Sequence, residues 1–210
     1  MHRNSELLFQ KYAAPIFKEG KKVLEIGPNG NPSTFQKLVT SSSKSIHWET
    51  LDITGERKPT HVAKSEYQFG LSDNTYDIVL SGQVIEHVKK IWVWIKELVR
   101  ICKPNGRVIT IAPLSWPYHE FPVDCWRFYP EAMRTLYEEA GLKVELCICE
   151  TLELGTPFTI EDLAQNQGKI GGFKRIYPGI GISGNLFLKK ILGWPVSVAF
   201  DTVAIGVKQK

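Results

Sequence analysis

Apolar residues along this chain fall into two kinds of run that alternate. Short runs of strand-forming residues, such as 23–26 and 76–80, are bounded by glycine, proline, asparagine and aspartate. Longer stretches with apolar residues at helical spacing, such as 91–101 and 131–140, separate them. Continuous apolar strands that alternate with helices are typical of a mostly parallel sheet with both faces covered. The pattern therefore predicts an α/β fold, with helices on both faces of the sheet.

The elements that this pattern predicts cover most of the chain. Strands are expected at 23–26, 46–53, 60–63, 76–80, 107–112, 142–149 and 197–207. Helices are expected at 5–18, with Ser5 as the N-cap, and at 35–39, 91–101 and 131–140, the third of them mostly buried with its aromatic residues in the core.

We interpret residues 1–210 as one domain, in which 1–19 form an N-terminal helix and 151–195 form an insert before the last strand. The insert is rich in glycine. Its short apolar helix, 185–194, is open to two interpretations, contact with a membrane surface and packing on the sheet, of which the second is favoured. A substrate lid with dimer contacts is the third interpretation.

Composition argues against several classes of protein. The 210 residues carry a formal net charge of +4 without an arginine-rich block, which gives little support for nucleic acid as a partner. No apolar run approaches the ~20 residues that a membrane-spanning helix needs. The 4 cysteines lack the C-x-x-C spacing of metal sites, so reduced thiols in a cytoplasmic protein are the expectation.

A buried acid and a glycine turn stand together at the end of the first strand. Glu25 is costly to bury without hydrogen-bond donors, and a ligand's ammonium group or backbone amides above the loop would supply them. Gly27 and Gly30 let the backbone approach a ligand closely, and Asn29 between them tolerates a left-handed turn. A third glycine is missing, which argues against a dinucleotide and its pyrophosphate. The alternative is a strand, turn and helix with no ligand.

The second strand ends in another acid, Asp52. A carboxylate at this place can accept two hydrogen bonds from a ribose diol, as in dinucleotide-binding folds. The alternative is a solvated aspartate in a turn.

Four stretches together resemble the class I S-adenosylmethionine-dependent methyltransferases, of the type 11-like group. Residues 25–30 resemble the family's first motif, E/D-x-G-x-G-x-G, with Asn29 at the second glycine and the next residue, Asn31, at the third. Residues 73–79 resemble D-N-S-F-D-V-V, and the residues that follow, 81–88, resemble x-x-V-L-E-H-V. Residues 103–106 resemble the K-P-G-G turn, again with asparagine for glycine. The resemblance implies a Rossmann-like sheet of seven strands with the last one antiparallel.

The resemblance also implies that S-adenosyl-L-methionine is the cofactor. Ser65 and Glu66 stand where the family commonly has an aspartate that meets the adenine amino group. The expected cofactor-binding residues are Glu25, Gly27, Pro28, Asn29, Gly30, Asp52, Ile53, Ser65, Glu66, Ser81, Gly82 and Gln83.

A long loop, 113–129, follows the fifth strand and is dense in aromatic and polar residues. Loops of this kind usually carry function, and this one resembles the H-x-x-P-x-D-x-x-R-F segment of methyltransferases associated with glycan or small-metabolite pathways. His119 is the candidate catalytic residue, as a general base near neutral pH. In the alternative, Asp124 and Arg127 pair to brace the loop and His119 only caps it. The expected substrate-binding residues are His87, Trp116, Tyr118, His119 and Asp124.

Glu86 and His87 raise the question of a metal ion. Some quinone and small-RNA methyltransferases carry E-x-x-E-H here and bind a metal with it, but this chain has the neutral Gln83 at the first carboxylate. The sequence alone therefore predicts no metal. It favours instead a helix start, with Glu86 near the positive end of the helix dipole.

These observations together predict a methyltransferase that acts on an oxygen or nitrogen of a small molecule, with a sugar or glycan precursor as one candidate. A cofactor-binding pseudoenzyme or regulatory module and an RNA methyltransferase are the alternatives. The expected partners are a small-molecule acceptor and, in a homodimer, a second copy of the chain. No transmembrane segment is expected.

Overall fold

The computed structural model describes residues 3–41, 45–120, 122–153, 158–159 and 199–210. Its strands are β1 Lys22–Ile26, β2 His47–Asp52, β3 His61–Val62, β4 Tyr76–Gly82, β5 Cys102–Ser115, β6 Leu142–Thr151, β7 Phe158–Thr159 and β8 Phe200–Lys208. Its α-helices are α1 Arg3–Leu8, α2 Thr34–Thr40, α3 Ile91–Ile101 and α4 Pro130–Glu139.

The eight strands found in the described residues form one sheet, in the order β3-β2-β1-β4-β5-β8-β6-β7. Neighbours from β3 to β5 pair in parallel, whereas β8 runs antiparallel to both β5 and β6. The predicted α/β fold, with its mostly parallel sheet and reversed last strand, is confirmed. The two-residue edge strand β7, which pairs antiparallel with β6, was not predicted, because it lies in the segment interpreted as an insert.

Side chains from each central strand alternate between two cores, one on each face of the sheet. Leu24 and Val79 belong to the core under α3 and α4, while Val23 and Ile78 belong to the core under the N-terminal helical segment and α2. Because successive strand residues point to opposite faces, a continuous apolar run is what a strand covered on both sides requires. The sheet is thus sandwiched between two helical layers, as the apolar pattern indicated.

The N-terminal segment departs from the regular helix expected at 5–18. After α1 it continues as a π-helix, Phe9–Ala13, and a 3₁₀ turn, Ala14–Ile16. Ser5 is buried inside α1, so its prediction as the N-cap is wrong. It accepts a hydrogen bond from Gln83 Nε2 at 3.0 Å, which ties the segment to the end of β4.

Helix α3 has the bounds that the sequence predicted, but its tryptophans are only partly buried as predicted. Trp94 is 2% exposed and belongs to the core, whereas the Trp92 side chain is 51% exposed. The placement of both tryptophans in the core is therefore wrong for Trp92.

None of the helices in the described part of the chain has the length and apolar content needed to cross a bilayer. The predicted insert, 151–195, lies largely outside the described residues, and the single domain, the homodimer and the cytoplasmic location stay predictions.

Candidate active site

A cavity of about 760 Å³ opens at the carboxyl ends of β1, β2 and β4. Ligands of α/β sheets bind at this edge, and the volume suits a ligand of nucleotide size. Eleven of the predicted site residues line the cavity: Glu25, Gly27, Asn29, Asp52, Ile53, Glu66, Gly82, Gln83, His87, Trp116 and His119. Six do not: Pro28, Gly30, Ser65, Ser81, Tyr118 and Asp124.

The turn after β1 depends on Gly27. Its φ of +67° is a conformation that side chains disfavour, and a Cβ atom there would lie 2.4 Å from Val84 Cγ2. Asn29 does not adopt a left-handed conformation, contrary to the prediction. It holds the turn through its side chain instead, because its Oδ1 accepts from Thr34 N at 2.9 Å and its Nδ2 donates to Thr34 Oγ1 at 2.8 Å.

Glu25 takes its donors from the protein. Its carboxylate is buried, accepts from Trp48 Nε1 at 3.0 Å and accepts a short hydrogen bond from Ser33 Oγ. The expectation that a ligand or loop amides would supply these donors is therefore corrected. Burial raises the pKa of Glu25 to about 7, although the two donors oppose the shift. Because Glu25 also lines the cavity, its charge near neutral pH depends on what lies beside it.

Two further acids face the cavity from the neighbouring strand and loop. Asp52 lies at the end of β2, where its Oδ1 accepts from Thr54 N at 3.2 Å. Of the two residues predicted to stand near an adenine, Glu66 lines the cavity. Ser65 does not, because its Oγ accepts from Tyr67 N at 3.3 Å within a local turn.

The end of β4 supplies the cavity floor. At Gly82 a Cβ atom would lie 2.4 Å from the Phe35 ring, so only glycine lets that ring pack there. Gln83 has a φ of +59°, and its Nε2 donates to Ser5 Oγ and to Asp201 Oδ1, each at 3.0 Å. Ser81 is buried beneath the cavity floor, and its hydroxyl has no partner among the described residues.

The loop after β5 is braced as the alternative predicted. Asp124 accepts from two nitrogens of Arg127 and from His119 N, the last at 2.9 Å. The Arg127 guanidinium lowers the pKa of Asp124 to about 2. Arg127 also donates to the Trp116 carbonyl, at 3.3 Å from Nη2, so the brace spans the loop.

Asp124 is therefore a support of the loop and does not face the cavity, contrary to its prediction as a substrate-binding residue. The Tyr118 side chain is 71% exposed, donates to Glu120 Oε1 and does not line the cavity, so its contact with a substrate stays a prediction. Trp116 and His119 lie on the cavity side of the same loop.

A second cluster lies where this loop meets the end of β4. Glu86 is fully buried in a 3₁₀ turn, Ile85–His87, and neither carboxylate oxygen has a hydrogen-bond partner among the described residues. Burial raises the pKa of Glu86 to about 8 and lowers that of His87. The rings of His87 and His119 meet edge to face, with centroids 4.9 Å apart. The interpretation of Glu86 as a helix-dipole partner is wrong, because the turn has only 3 residues.

Sequence reasoning missed several cavity residues. Arg57 lines the wall, and its Nη1 donates to the Pro28 carbonyl at 3.0 Å across the mouth. A basic residue in the loop after β2 was the available signal. Leu51, Phe69 and Trp94 add apolar wall, but each looks like an ordinary core residue in the sequence.

Comparison with known proteins finds methyltransferases similar to part of this chain. A family model described as a methyltransferase domain matches residues 38–110. An uncharacterized methyltransferase of Mycobacteroides abscessus is 28% identical over 109 residues, which cover 46% of this chain and 41% of that protein. The match thus spans about two fifths of the relative's length.

Solved structures share the fold at low identity. An S-adenosylmethionine-dependent methyltransferase of Archaeoglobus fulgidus has a TM-score of 0.62 at 17% identity and covers 97% of this chain and 92% of that one. The phosphoethanolamine N-methyltransferase 2 of Haemonchus contortus, solved with S-adenosyl-L-methionine, has a TM-score of 0.59 at 16% identity, with 99% and 53% covered. The sheet order, the glycine turn and these matches agree. Residues 38–110 thus match a methyltransferase-domain model, and the chain shares the Rossmann-like fold of solved S-adenosylmethionine-dependent methyltransferases.

Proposed function

We propose that this chain transfers a methyl group from S-adenosyl-L-methionine to an oxygen or nitrogen of a small-molecule acceptor. The observation that carries the proposal is a single cavity with two kinds of wall. The ends of β1 and β2 present a glycine turn and acids, and the loop after β5 presents His119 and Trp116. A cofactor and an acceptor can therefore meet in one enclosed space, as a transfer between two bound molecules requires.

The residues on the first wall fit this cofactor. Asp52 is the carboxylate for a ribose diol, and Glu66 is the acceptor for an adenine amino group. Leu51 and Phe69 supply apolar surface for a flat ring. Glu25, close to Gly27, adds negative charge near the place for the cofactor's ammonium group. When bound, S-adenosyl-L-methionine supplies a methyl group already activated by its positively charged sulfur.

The second wall supplies what an acceptor needs. The His119 side chain is 38% exposed, and its Nδ1 faces the Pro117 carbonyl at 3.2 Å. The neutral ring with a proton on Nδ1 leaves Nε2 as the basic atom, which can take a proton from an acceptor hydroxyl. Trp116 and Glu120 on the same wall combine an aromatic face with a hydrogen-bond acceptor. This combination suits a sugar ring, so a sugar or glycan precursor is the proposed acceptor class.

Calorimetry with S-adenosylhomocysteine tests the cofactor half of the proposal. Asp52→Asn should weaken binding about ten-fold or more, because a hydrogen bond to a charged group contributes about 1.5–3 kcal/mol. The matched control is Asp73→Asn, since Asp73 pairs with Arg100 and does not line the cavity. A wild-type protein that binds neither this nucleoside nor the methylated cofactor contradicts the proposal.

Turnover assays test the second half of the proposal, the transfer of the methyl group to a small-molecule acceptor. Labelled cofactor is incubated with panels of sugars, phosphorylated amines and small RNAs, and His119→Ala is the loss-of-function comparison. Label transfer to a small molecule that falls in His119→Ala supports the proposal. Cofactor binding with no transfer to any panel member would indicate a binding module instead, and transfer to RNA alone would contradict the small-molecule class.

A further inference from the structure

The buried carboxylate of Glu86 has no hydrogen-bond donor among the described residues. Its side chain is wholly inaccessible to solvent, and both oxygens lack a hydrogen-bond partner among the described residues. A buried carboxylate is costly unless a donor or a cation satisfies it. The guanidinium of Arg127 is already bound to Asp124, so it does not fill this role.

Two imidazoles lie beside this carboxylate with their Nε2 atoms available. His87 Nδ1 donates to the Val123 carbonyl at 2.6 Å, so the lone pair of this ring is on Nε2, which lies 3.8 Å from Glu86 Oε1. His119 Nδ1 likewise faces a backbone carbonyl. A hydrogen bond from Nδ1 to a carbonyl is the arrangement that orients a histidine to bind a metal through Nε2.

The three side chains already approach the spacing of a metal site. One ligand atom from each of Glu86, His87 and His119 lies within 4.8 Å of the others. Ligands about 2.0–2.2 Å from a tetrahedral ion are about 3.3–3.5 Å apart, so shifts of roughly 1 Å close the site. Such shifts are within reach of His119, which is carried by a loop.

Gln83, whose neutrality argued against a metal in the sequence, is not part of this set. Its amide nitrogen is engaged by Ser5 Oγ and Asp201 Oδ1. The third ligand is His119, which comes from the loop after β5. Only the fold brings it to Glu86 and His87.

We propose that Glu86, His87 and His119 form a site for a divalent first-row transition-metal ion, such as zinc, at the acceptor end of the cavity. One carboxylate and two imidazoles suit such an ion better than magnesium or calcium, which prefer oxygen ligands. Three protein ligands leave positions open, and His87 and His119 both line the cavity. An ion held here would occupy His119 Nε2, so with the ion bound that atom would not act as the base, and the ion would instead activate the acceptor by binding its oxygen. That use rests on the proposed function, whereas binding of the ion does not.

Metal titration of the chelator-treated protein, without any cofactor, tests the site. Zinc, cobalt(II) and manganese(II) chlorides are added separately, with calorimetry for all three and visible absorption for cobalt. We expect one ion per chain for at least one of these metals, and visible cobalt bands typical of four- or five-coordination. Glu86→Gln and His119→Ala should each weaken binding at least ten-fold.

The matched control is His61→Ala. His61 Nε2 lies 2.8 Å from Glu49 Oε2, so it is also a histidine beside a carboxylate, but it does not line the cavity and is not part of the Glu86, His87 and His119 cluster. This variant should bind the metal like the wild type. Glu86→Gln is close to isosteric, and circular dichroism checks that each variant is folded. Failure of all three metals to bind with one-to-one stoichiometry overturns the proposal, as does wild-type affinity in both Glu86→Gln and His119→Ala.

Discussion

Replacement of Gly27 by alanine tests how the turn at the cavity is built. Two costs are expected. A residue with a Cβ atom at a φ of +67° loses about 1–2 kcal/mol. The new Cβ atom would also lie 2.4 Å from Val84 Cγ2, and overpacking of this kind costs about 1–3 kcal/mol. Gly27→Ala should therefore lower the free energy of unfolding by about 2–5 kcal/mol.

The two costs can be separated with variants from the same chain. Gly141 has a φ of +85° and no atom within 4 Å of the position of a Cβ atom, so Gly141→Ala reports the backbone cost alone. In Val84→Ala the clashing methyl group is gone, and the nearest remaining atom of that side chain, its Cβ, is 3.6 Å away. Gly27→Ala made in this background should cost only about 1–2 kcal/mol.

Urea denaturation followed by circular dichroism measures all four variants and the wild type. Calorimetry with S-adenosylhomocysteine should show weaker binding for Gly27→Ala than for Gly141→Ala, because only the first lines the cavity. The reasoning is refuted if Gly27→Ala and Gly141→Ala destabilise equally. It is also refuted if Val84→Ala leaves the cost of Gly27→Ala unchanged.

Two further predictions concern buried groups. Because the pKa of Glu25 is about 7 in the folded chain and 4.5 ordinarily, the folded state keeps a proton that the unfolded chain loses. Its contribution to the free energy of unfolding should fall by about 2–3 kcal/mol between about pH 5 and pH 8. Urea denaturation should show this loss in the wild type relative to Glu25→Gln, and an equal pH dependence of the two proteins contradicts it. Tyr137 donates to Thr110 Oγ1 at 2.6 Å inside the core, so thermal or urea unfolding of Tyr137→Phe should show a loss of about 1–3 kcal/mol. The exposed Tyr129→Phe should change stability by less than about 0.5 kcal/mol, and equal effects of the two substitutions would contradict the assignment.

The strands of the sheet could be predicted from the sequence because each one is specified by the residues of its own short segment. Runs such as 23–26 and 76–80 are apolar without a break, and a strand with both faces covered needs that pattern. Proline at the start of α4 and glycine just after its end likewise placed that helix. The short β7 could not be foreseen, because two residues carry no periodicity.

The site was predictable only where one strand end defines it. Gly27 directly follows β1, Asp52 is the last residue of β2, and both line the cavity. The hydrogen bond that Trp48 donates to Glu25 depends on how β2 pairs with β1, and no sequence motif specifies that pairing. The meeting of His119 with Glu86 depends on the path of a long loop, so the sequence showed the residues but not their proximity.

The position of β8 has a consequence for how the protein matures during synthesis. This strand is inserted between β5 and β6, although it follows both in the chain. Until the ribosome has released residues 200–208, the long edge of β5 and the edge of β6 both lack their neighbour. Unpaired edges of that length recruit strands from other molecules. We therefore expect nascent chains that stop short of β8 to aggregate, and the window between translation of β5 and of β8 to be the period when a chaperone matters most.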